Sequence, residues 1–342
     1  MYALILSKEN IILSKTEAKE LLEIKEYSLI KNILICNINK KNLKKINRLS
    51  YTKKILDVLF ICDTKNLEES LLNFNFKKHY KKNFCLRIHN IPDKKSTSNY
   101  ETKKEQNKEK NEAYYSKYIW RNLELNKIKP KVNLEKPETL FEIINYKRKS
   151  LICKTVWINN NKYNLRKAHL RPEKHPTSMH PRLAAALINI LNPKENEIII
   201  DPFCGSGGIL LEAKIMGLKA IGYDVDEIQI KRAKINLDKI NAKNNIILKK
   251  TDSTKIKSLK NVVTDLPYGK SSRKTKEINE LYVDFIKKIR GKSVIVFPNF
   301  SNYNYILKKY LNKDLLVKKI ITQYVHKSLS RKIVLIDKKS NN

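Results

Sequence analysis

An aromatic amine is a poor nucleophile because its lone pair is delocalised into the ring. The segment Thr264-Asp265-Leu266-Pro267-Tyr268-Gly269 carries groups that would correct this. The Asp265 carboxylate and the backbone carbonyl of Leu266 would accept the two hydrogens of such an amine and keep its nitrogen pyramidal, aimed at an electrophilic methyl carbon. The ring of Tyr268, which follows Pro267, would stack on a base taken out of its helix. Alone, an Asp-x-Pro-Tyr-Gly run is more often an ordinary turn, so its meaning depends on what precedes it.

What precedes it is Asp201-Pro202-Phe203-Cys204-Gly205-Ser206-Gly207-Gly208, directly after the apolar Ile198 to Ile200 and before a helical pattern; it holds three of the chain's seven glycines. A tight strand-to-helix turn lets backbone amides and a helix N-terminus approach a polar ligand, which only residues without a Cβ permit. Asp201, Phe203, Gly205, Ser206 and Gly207 are therefore candidate ligand-binding residues. Asp224 ends the next strand, where a carboxylate can hold both hydroxyls of a ribose. Asp252 and Ser253 close the strand after that, within Thr251-Asp252-Ser253. Asp226 and Glu227 read as the first turn of a helix, where its dipole favours acids. A nicotinamide site would use a similar turn and acid, so these features establish only an adenosine-containing ligand. The later Asp265 segment has no place in a dehydrogenase.

The elements that must position these residues alternate from about Glu197: EIIID, the glycine turn, ILLEAKIMG, KAIGYD, EIQIKRAKINLDKI, NIILKK, NVVTDLP, LYVDFIKKIR and SVIVFP. Such alternation specifies a mostly parallel, doubly wound α/β sheet. Leu315 to Thr322 and Lys332 to Asp337 are expected as an antiparallel pair at its edge. The first 204 residues contain no glycine. There, apolar runs such as Ile33 to Cys36 and Val58 to Ile61 alternate with helical stretches near 15–24 and 66–74, an α+β pattern. Asp93 to Glu112 is almost without apolar residues and is expected to be a solvated loop or the exposed end of a helix.

A chain of 342 residues exceeds one compact core, so two or three domains are expected. Lys plus Arg number 71 against 34 Asp plus Glu, a net charge of +37. That favours a polyanionic partner, although a compositional bias toward lysine would produce much of it without any ligand. The five cysteines are scattered, which fits neither a zinc site nor a disulfide framework and points to a reducing compartment. The opening MYALILSKENIIL is broken by Lys8 and Glu9 and reads as a strand, not a signal peptide. No apolar run approaches a membrane span, and a cytoplasmic location is expected. Trp120 and Trp157 are expected in cores.

The motifs DPFCGSGG, GYD, TDS and TDLPYG, in this order, resemble those of the class I amino-methyltransferases that carry an Asp-Pro-Pro-Tyr signature. The chain departs at Leu266, where that family usually has proline; the carbonyl the mechanism needs is kept, in a less rigid loop. A narrower resemblance covers nearly the whole chain. Phe84-Cys85-Leu86-Arg87, Lys131-Val132-Asn133-Leu134 with Pro137, and Leu170-Arg171-Pro172 before His175-Pro176-Thr177-Ser178-Met179 look like an RNA-binding THUMP domain joined to a catalytic domain. HPTSMHPRLAAALINIL and VHKSLSR are similar to the archaeal tRNA guanine-N2 methyltransferases that act on position 10.

That resemblance implies an α+β module over 1–75, a THUMP-like RNA-binding domain and linker over 76–173, and a Rossmann-like class I methyltransferase domain with a mostly parallel seven-stranded sheet over 174–342. It implies S-adenosylmethionine as donor, with Thr177 and Met179 added to its site. Asp265, Leu266, Pro267 and Tyr268 would be catalytic, and the product would be guanosine methylated at N2 in tRNA, whose acceptor end THUMP modules grip. A monomer is expected, with a small activating subunit left open. The rival readings are a DNA amino-methyltransferase, which would need another recognition domain, and an RNA-binding protein without catalysis.

Overall fold

The computed structural model describes residues 1–92, 111–174, 178–240, 246–268, 272–326 and 329–339, with backbone only for 272–276. The solvated stretch expected over 93–112 lies outside these residues except at its end. There Asn111 caps the helix Glu112–Leu125, its side chain accepting from the Tyr114 amide. Packing divides the chain into two compact units that interleave along it: residues 1–5, 26–38 and 53–158 form the first, and 6–25, 39–52 and 159–342 the second.

The first unit is built on a mixed seven-stranded sheet ordered β2-β3-β1-β4-β7-β6-β5. Its strands are β1 (Tyr2–Leu6), β2 (Tyr27–Ile30), β3 (Ile33–Cys36), β4 (Thr52–Asp63), β5 (Phe84–Ile91), β6 (Thr139–Tyr146) and β7 (Lys149–Ile158). The helix Glu112–Leu125 buries Tyr115, Ile119 and Leu123, spaced by four so that they form one stripe, against Phe84, Phe141, Ile143 and Ile152. Residues alternate between sheet faces, so Glu142, beside Phe141 and Ile143, points to the opposite face. It is almost fully buried and is held by His89 Nε2 at 2.6 Å, Lys54 Nζ at 3.0 Å and the Thr155 hydroxyl. Burial raises this carboxyl, but the three bonds together outweigh it and bring the group down to about 2. Trp120 and Trp157 are half-buried; Trp120 packs at the margin of this core and turns its indole N–H outward to Glu124, which leaves one edge of the ring in water.

The second unit carries the expected doubly wound sheet, ordered β10-β9-β8-β11-β12-β14-β13. Its strands are β8 (Ile199–Asp201), β9 (Ala220–Asp224), β10 (Ile246–Lys250), β11 (Val262–Asp265), β12 (Ser293–Pro298), β13 (Leu315–His326) and β14 (Leu329–Lys338). Strands β8 to β12 are parallel; β14 runs antiparallel to both β12 and β13. The expected edge pair is present, and its strands extend to His326 and back to Leu329. The helix ending in FIKKIR starts earlier than its apolar pattern suggests, at Ser272, and ends at Ile286.

The N-terminal residues of this unit belong to it because of one buried acid. Tyr2–Leu6 is a strand as expected, but Asn10 then caps the helix Ile11–Leu22, accepting from Leu13 N at 3.0 Å. On that helix Glu17 is fully buried and accepts from the Ser50 amide at 2.7 Å, the Ser50 hydroxyl, the Tyr51 amide at 2.7 Å and Asn189 Nδ2 at 2.7 Å. Asn189 lies on the helix Pro181–Leu191, and Leu13 and Tyr51 share its core with Leu187, Ile190 and Leu191. Glu17 thus ties three stretches distant in sequence into one core. Glu17→Ala would leave several buried donors without an acceptor, so we expect a loss of at least about 3 kcal/mol and an unfolding midpoint lower by roughly 5–10 °C. Thermal unfolding followed by circular dichroism measures this; an unchanged midpoint would show that the clasp holds nothing together.

Candidate active site at the carboxyl ends of the parallel strands

In an open α/β sheet, ligands gather at the carboxyl ends of the strands. The three strands β9, β8 and β11 are neighbours, and they end in Asp224, Asp201 and Asp265. Asp201 is almost fully buried; its Oδ1 accepts from Thr264 Oγ1 at 2.7 Å and from the Phe203 amide at 3.3 Å. The Thr264 bond ties β8 to β11 directly. Burial, with added repulsion from Asp224 and Asp265, outweighs these two bonds and pushes the Asp201 carboxyl up to about 7.

The turn after Asp201 is shaped by the next strand. The Gly205 amide donates to Asp224 Oδ2 and the Asp226 amide to Asp224 Oδ1, each at 2.9 Å. Gly205 has φ +49°, and a Cβ there would meet nothing within 4 Å, so its surroundings are an open cradle. Gly207 has φ +85°, and a Cβ would stand 3.2 Å from the Ala233 side chain; its glycine is required by both conformation and packing. Ser206 bonds the Ser178 hydroxyl at 2.9 Å, and its carbonyl accepts from Asn236 at 3.1 Å. Phe203 packs edge-on against Phe285 with centroids 5.3 Å apart.

The remaining donor-site candidates are placed unevenly. Asp252 stands just beyond β10 and caps a short turn, its Oδ1 accepting from the Thr254 amide and hydroxyl, which lower its carboxyl. The Ser253 hydroxyl is buried without a hydrogen-bond partner. Met179 is buried in the core with Leu183 and Leu187, so only its backbone is left for a ligand. Thr177 lies outside the described residues. A shallow groove of about 430 Å³ lined by Leu307, Leu311, Leu315 and Ile320 lies near the start of β13, at the opposite end of the sheet, and holds none of these groups.

The segment after β11 forms a closed hydrogen-bonded triad. Tyr268 donates its hydroxyl proton to Asp265 Oδ1 at 2.6 Å, Arg331 Nη2 meets Asp265 Oδ2 at 3.3 Å, and Arg331 Nε donates to the Tyr268 oxygen at 3.0 Å. Leu266 is fixed through its amide to Val296 O at 3.0 Å, and Tyr282 donates to Pro267 O at 2.5 Å. Burial raises the Asp265 carboxyl, while the Arg331 charge and the two hydrogen bonds oppose it. Phe300, half exposed, stands edge-on to Tyr268 with centroids 6.4 Å apart. No local pattern singles out Arg331. It lies inside the VHKSLSR stretch, but only the pairing of Pro298 with Arg331 across β12 and β14 reveals what it serves.

Residues 168–331 match the RMKL-like methyltransferase domain, and residues 11–235 match a DNA methylase family. The chain is 32% identical over 170 residues to a probable tRNA (guanine(10)-N2)-dimethyltransferase of Methanothermococcus thermolithotrophicus, covering 47% of this chain and all of that one. The chain belongs to the tRNA (guanine(10)-N2)-dimethyltransferase family.

Family members of known name from Methanocaldococcus jannaschii (32% over 218 residues) and Methanothermobacter thermautotrophicus (26% over 309 residues) cover 60% and 87% of this chain. The match spans 60% of the length of the first and 85% of the second. Among solved structures, Thermus thermophilus TrmN aligns over 99% of both chains with a TM-score of 0.50 at 13% identity. A possible methylase from Clostridium difficile 630 aligns over all of this chain and 99% of its own with a TM-score of 0.51 at 17% identity. These likenesses show the fold, an α/β class I methyltransferase fold whose sheet is mostly parallel.

The buried Asp201 generates a testable pH dependence. Its folded-state value near 7 lies above the unfolded one, so the protonated form stabilises the fold. That stability is fully present below about pH 4 and is lost as pH rises to about 7, a span worth about 4 kcal/mol. Asp201→Asn, which mimics the protonated acid, should gain on the wild type in unfolding midpoint between pH 5 and pH 8. Parallel pH curves for the two proteins would show that Asp201 does not titrate in this range.

Proposed function

We propose that the chain transfers methyl groups from S-adenosylmethionine to the exocyclic N2 amine of a guanosine in tRNA, at position 10, with residues 76–173 serving as a THUMP-like tRNA-binding domain. The observation that carries this reading is Asp265-Leu266-Pro267-Tyr268 at the end of β11, one strand from Asp201 and two from Asp224, in a chain of the tRNA (guanine(10)-N2)-dimethyltransferase family. Two features support the donor's adenosine at this turn: Gly205 leaves an open cradle, and the Asp224 carboxylate, aligned by two amides, is the acceptor offered to the ribose hydroxyls. When bound, the donor supplies an electrophilic methyl on a positive sulfonium.

The chain's own residues do the rest. Asp265 and the Leu266 carbonyl accept the amine hydrogens and turn the nitrogen lone pair toward the methyl, and Tyr268 stacks on the base. The Tyr268 hydroxyl occupies Asp265 Oδ1 in this structure, so the incoming amine exchanges with it. Arg331 keeps hold of Oδ2, and its charge opposes the upward shift that burial imposes on the Asp265 carboxyl. The proton released after transfer leaves through Asp265 to solvent.

Transfer of labelled methyl from the donor to tRNA, to double-stranded DNA and to neither separates the reading from its two rivals, and mapping the modified nucleotide tests position 10. Methyl incorporation into tRNA at a guanosine N2 is expected, with affinity falling steeply as salt rises; labelled DNA with unlabelled tRNA would refute the reading.

A second experiment addresses the triad. Asp265→Ala should lower single-turnover methylation about a hundredfold or more with both substrates saturating. Because an ionised Asp265 is the acceptor, the rate should fall as pH drops through its raised value. Arg331→Gln removes the opposing charge, raises Asp265 further and should move that acid limb to higher pH. An acid limb unmoved by Arg331→Gln would remove Arg331 from the role given to it.

A further inference from the structure

We propose that Arg171 receives the carboxylate at the amino-acid end of the methyl donor, an inference that rests on the donor reading above. Arg171 is 7% exposed, and both terminal nitrogens of its guanidinium, Nη1 and Nη2, are buried without a hydrogen-bond partner among the described residues. Its Nε is the anchored end, donating to the Arg166 carbonyl at 3.1 Å. A buried guanidinium with two empty nitrogens is costly unless an anion completes it.

Among the described residues no nearby acid does so. Glu212 is committed to Arg166, which grips both of its oxygens at 2.9 Å. The other neighbour of Arg171 adds to the positive field: Nη1 would stand 3.4 Å, and Nη2 3.9 Å, from a Cβ on Gly208, the first residue of the helix Gly208–Ile215. That helix begins at Gly207 with no side-chain cap, so its amino end presents a partial positive charge and unpaired amides. Gly208 lets the guanidinium lie against the backbone at that end. A planar carboxylate suits both partners, taking two parallel bonds from the guanidinium edge and sitting at a helix N-terminus.

The position in the turn identifies whose carboxylate it is. The glycine turn has Asp224 at one side, bound to the Gly205 amide, and Arg171 at the other, beside Gly208. An acid for the ribose and a base for the carboxylate thus flank one short turn, with opposite charges reading opposite ends of one small molecule. The backbone phosphate of a folded nucleic acid cannot reach a side chain this buried, so the anion sought is that of a small ligand.

Calorimetry on the full chain tests this with two probes: S-adenosylhomocysteine, which has the amino-acid end, and 5′-methylthioadenosine, which lacks it. The wild type should bind the first more tightly. Arg171→Met should weaken S-adenosylhomocysteine roughly tenfold to a hundredfold while leaving methylthioadenosine within about threefold, and the retained second affinity also shows that the turn is folded. Arg171→Lys, which keeps a cation, should fall between. Equal loss for both probes, in the Met variant or the Lys variant, would make Arg171 a structural residue and overturn the proposal, as would no loss for either. If the wild type binds neither probe, the donor reading itself fails, and the role of Arg171 fails with it.

Discussion

Three carboxylates stand side by side at the ends of neighbouring parallel strands, and such crowding is tolerable only if each is given donors. Asp224 takes two backbone amides, Asp201 takes the Thr264 hydroxyl and one amide, and Asp265 takes Tyr268 and Arg331. Much of the local architecture follows from this requirement. The glycine turn bends so that the Gly205 amide reaches Asp224, Thr264 spans from β11 to β8, and Asp201, the most buried of the three, is pushed toward neutrality. Repulsion is relieved by hydrogen bonds, by one guanidinium and by the upward shift of Asp201.

The direction of β14 supplies the guanidinium. A further parallel strand beside β12 would present its start at the amino end of the sheet. Because β14 runs antiparallel, its early residue Arg331 lies across from Pro298, at the carboxyl end of β12, within reach of Asp265. The reversed strand, second from the edge of the sheet, therefore takes part in the site's electrostatics.

The second unit also draws on residues far from the catalytic motifs. The helix Ile11–Leu22 and the stretch 39–52 pack with the helix Pro181–Leu191 through Glu17 and a shared apolar core. The chain therefore passes more than once between its two units, and neither corresponds to a single contiguous run of sequence. A fragment ending near 174 would carry Glu17 without Asn189 and leave its buried carboxyl short of a donor.

Local pattern carried most of the catalytic fold. The alternation from Glu197 onward determines a parallel sheet, because period-two and period-3.6 stretches of the right length have few other ways to bury their apolar faces. The glycines at 205, 207 and 208 and the acids at 201, 224 and 265 are legible for the same reason: each sits at a strand end, where backbone geometry and exposure are predictable from neighbours in the chain. What only the tertiary structure decided are the pairings between residues far apart. Nothing local to Ser330-Arg331-Lys332 distinguishes that arginine from the many other basic residues, nor Arg171 from Arg166 five residues earlier, nor Glu17 from the exposed Glu9. Their roles depend on which strand or helix lies opposite, and on whether water or protein surrounds the charge. A one-dimensional pattern records neither, because burial of a charge is a property of the folded surroundings and not of the residue.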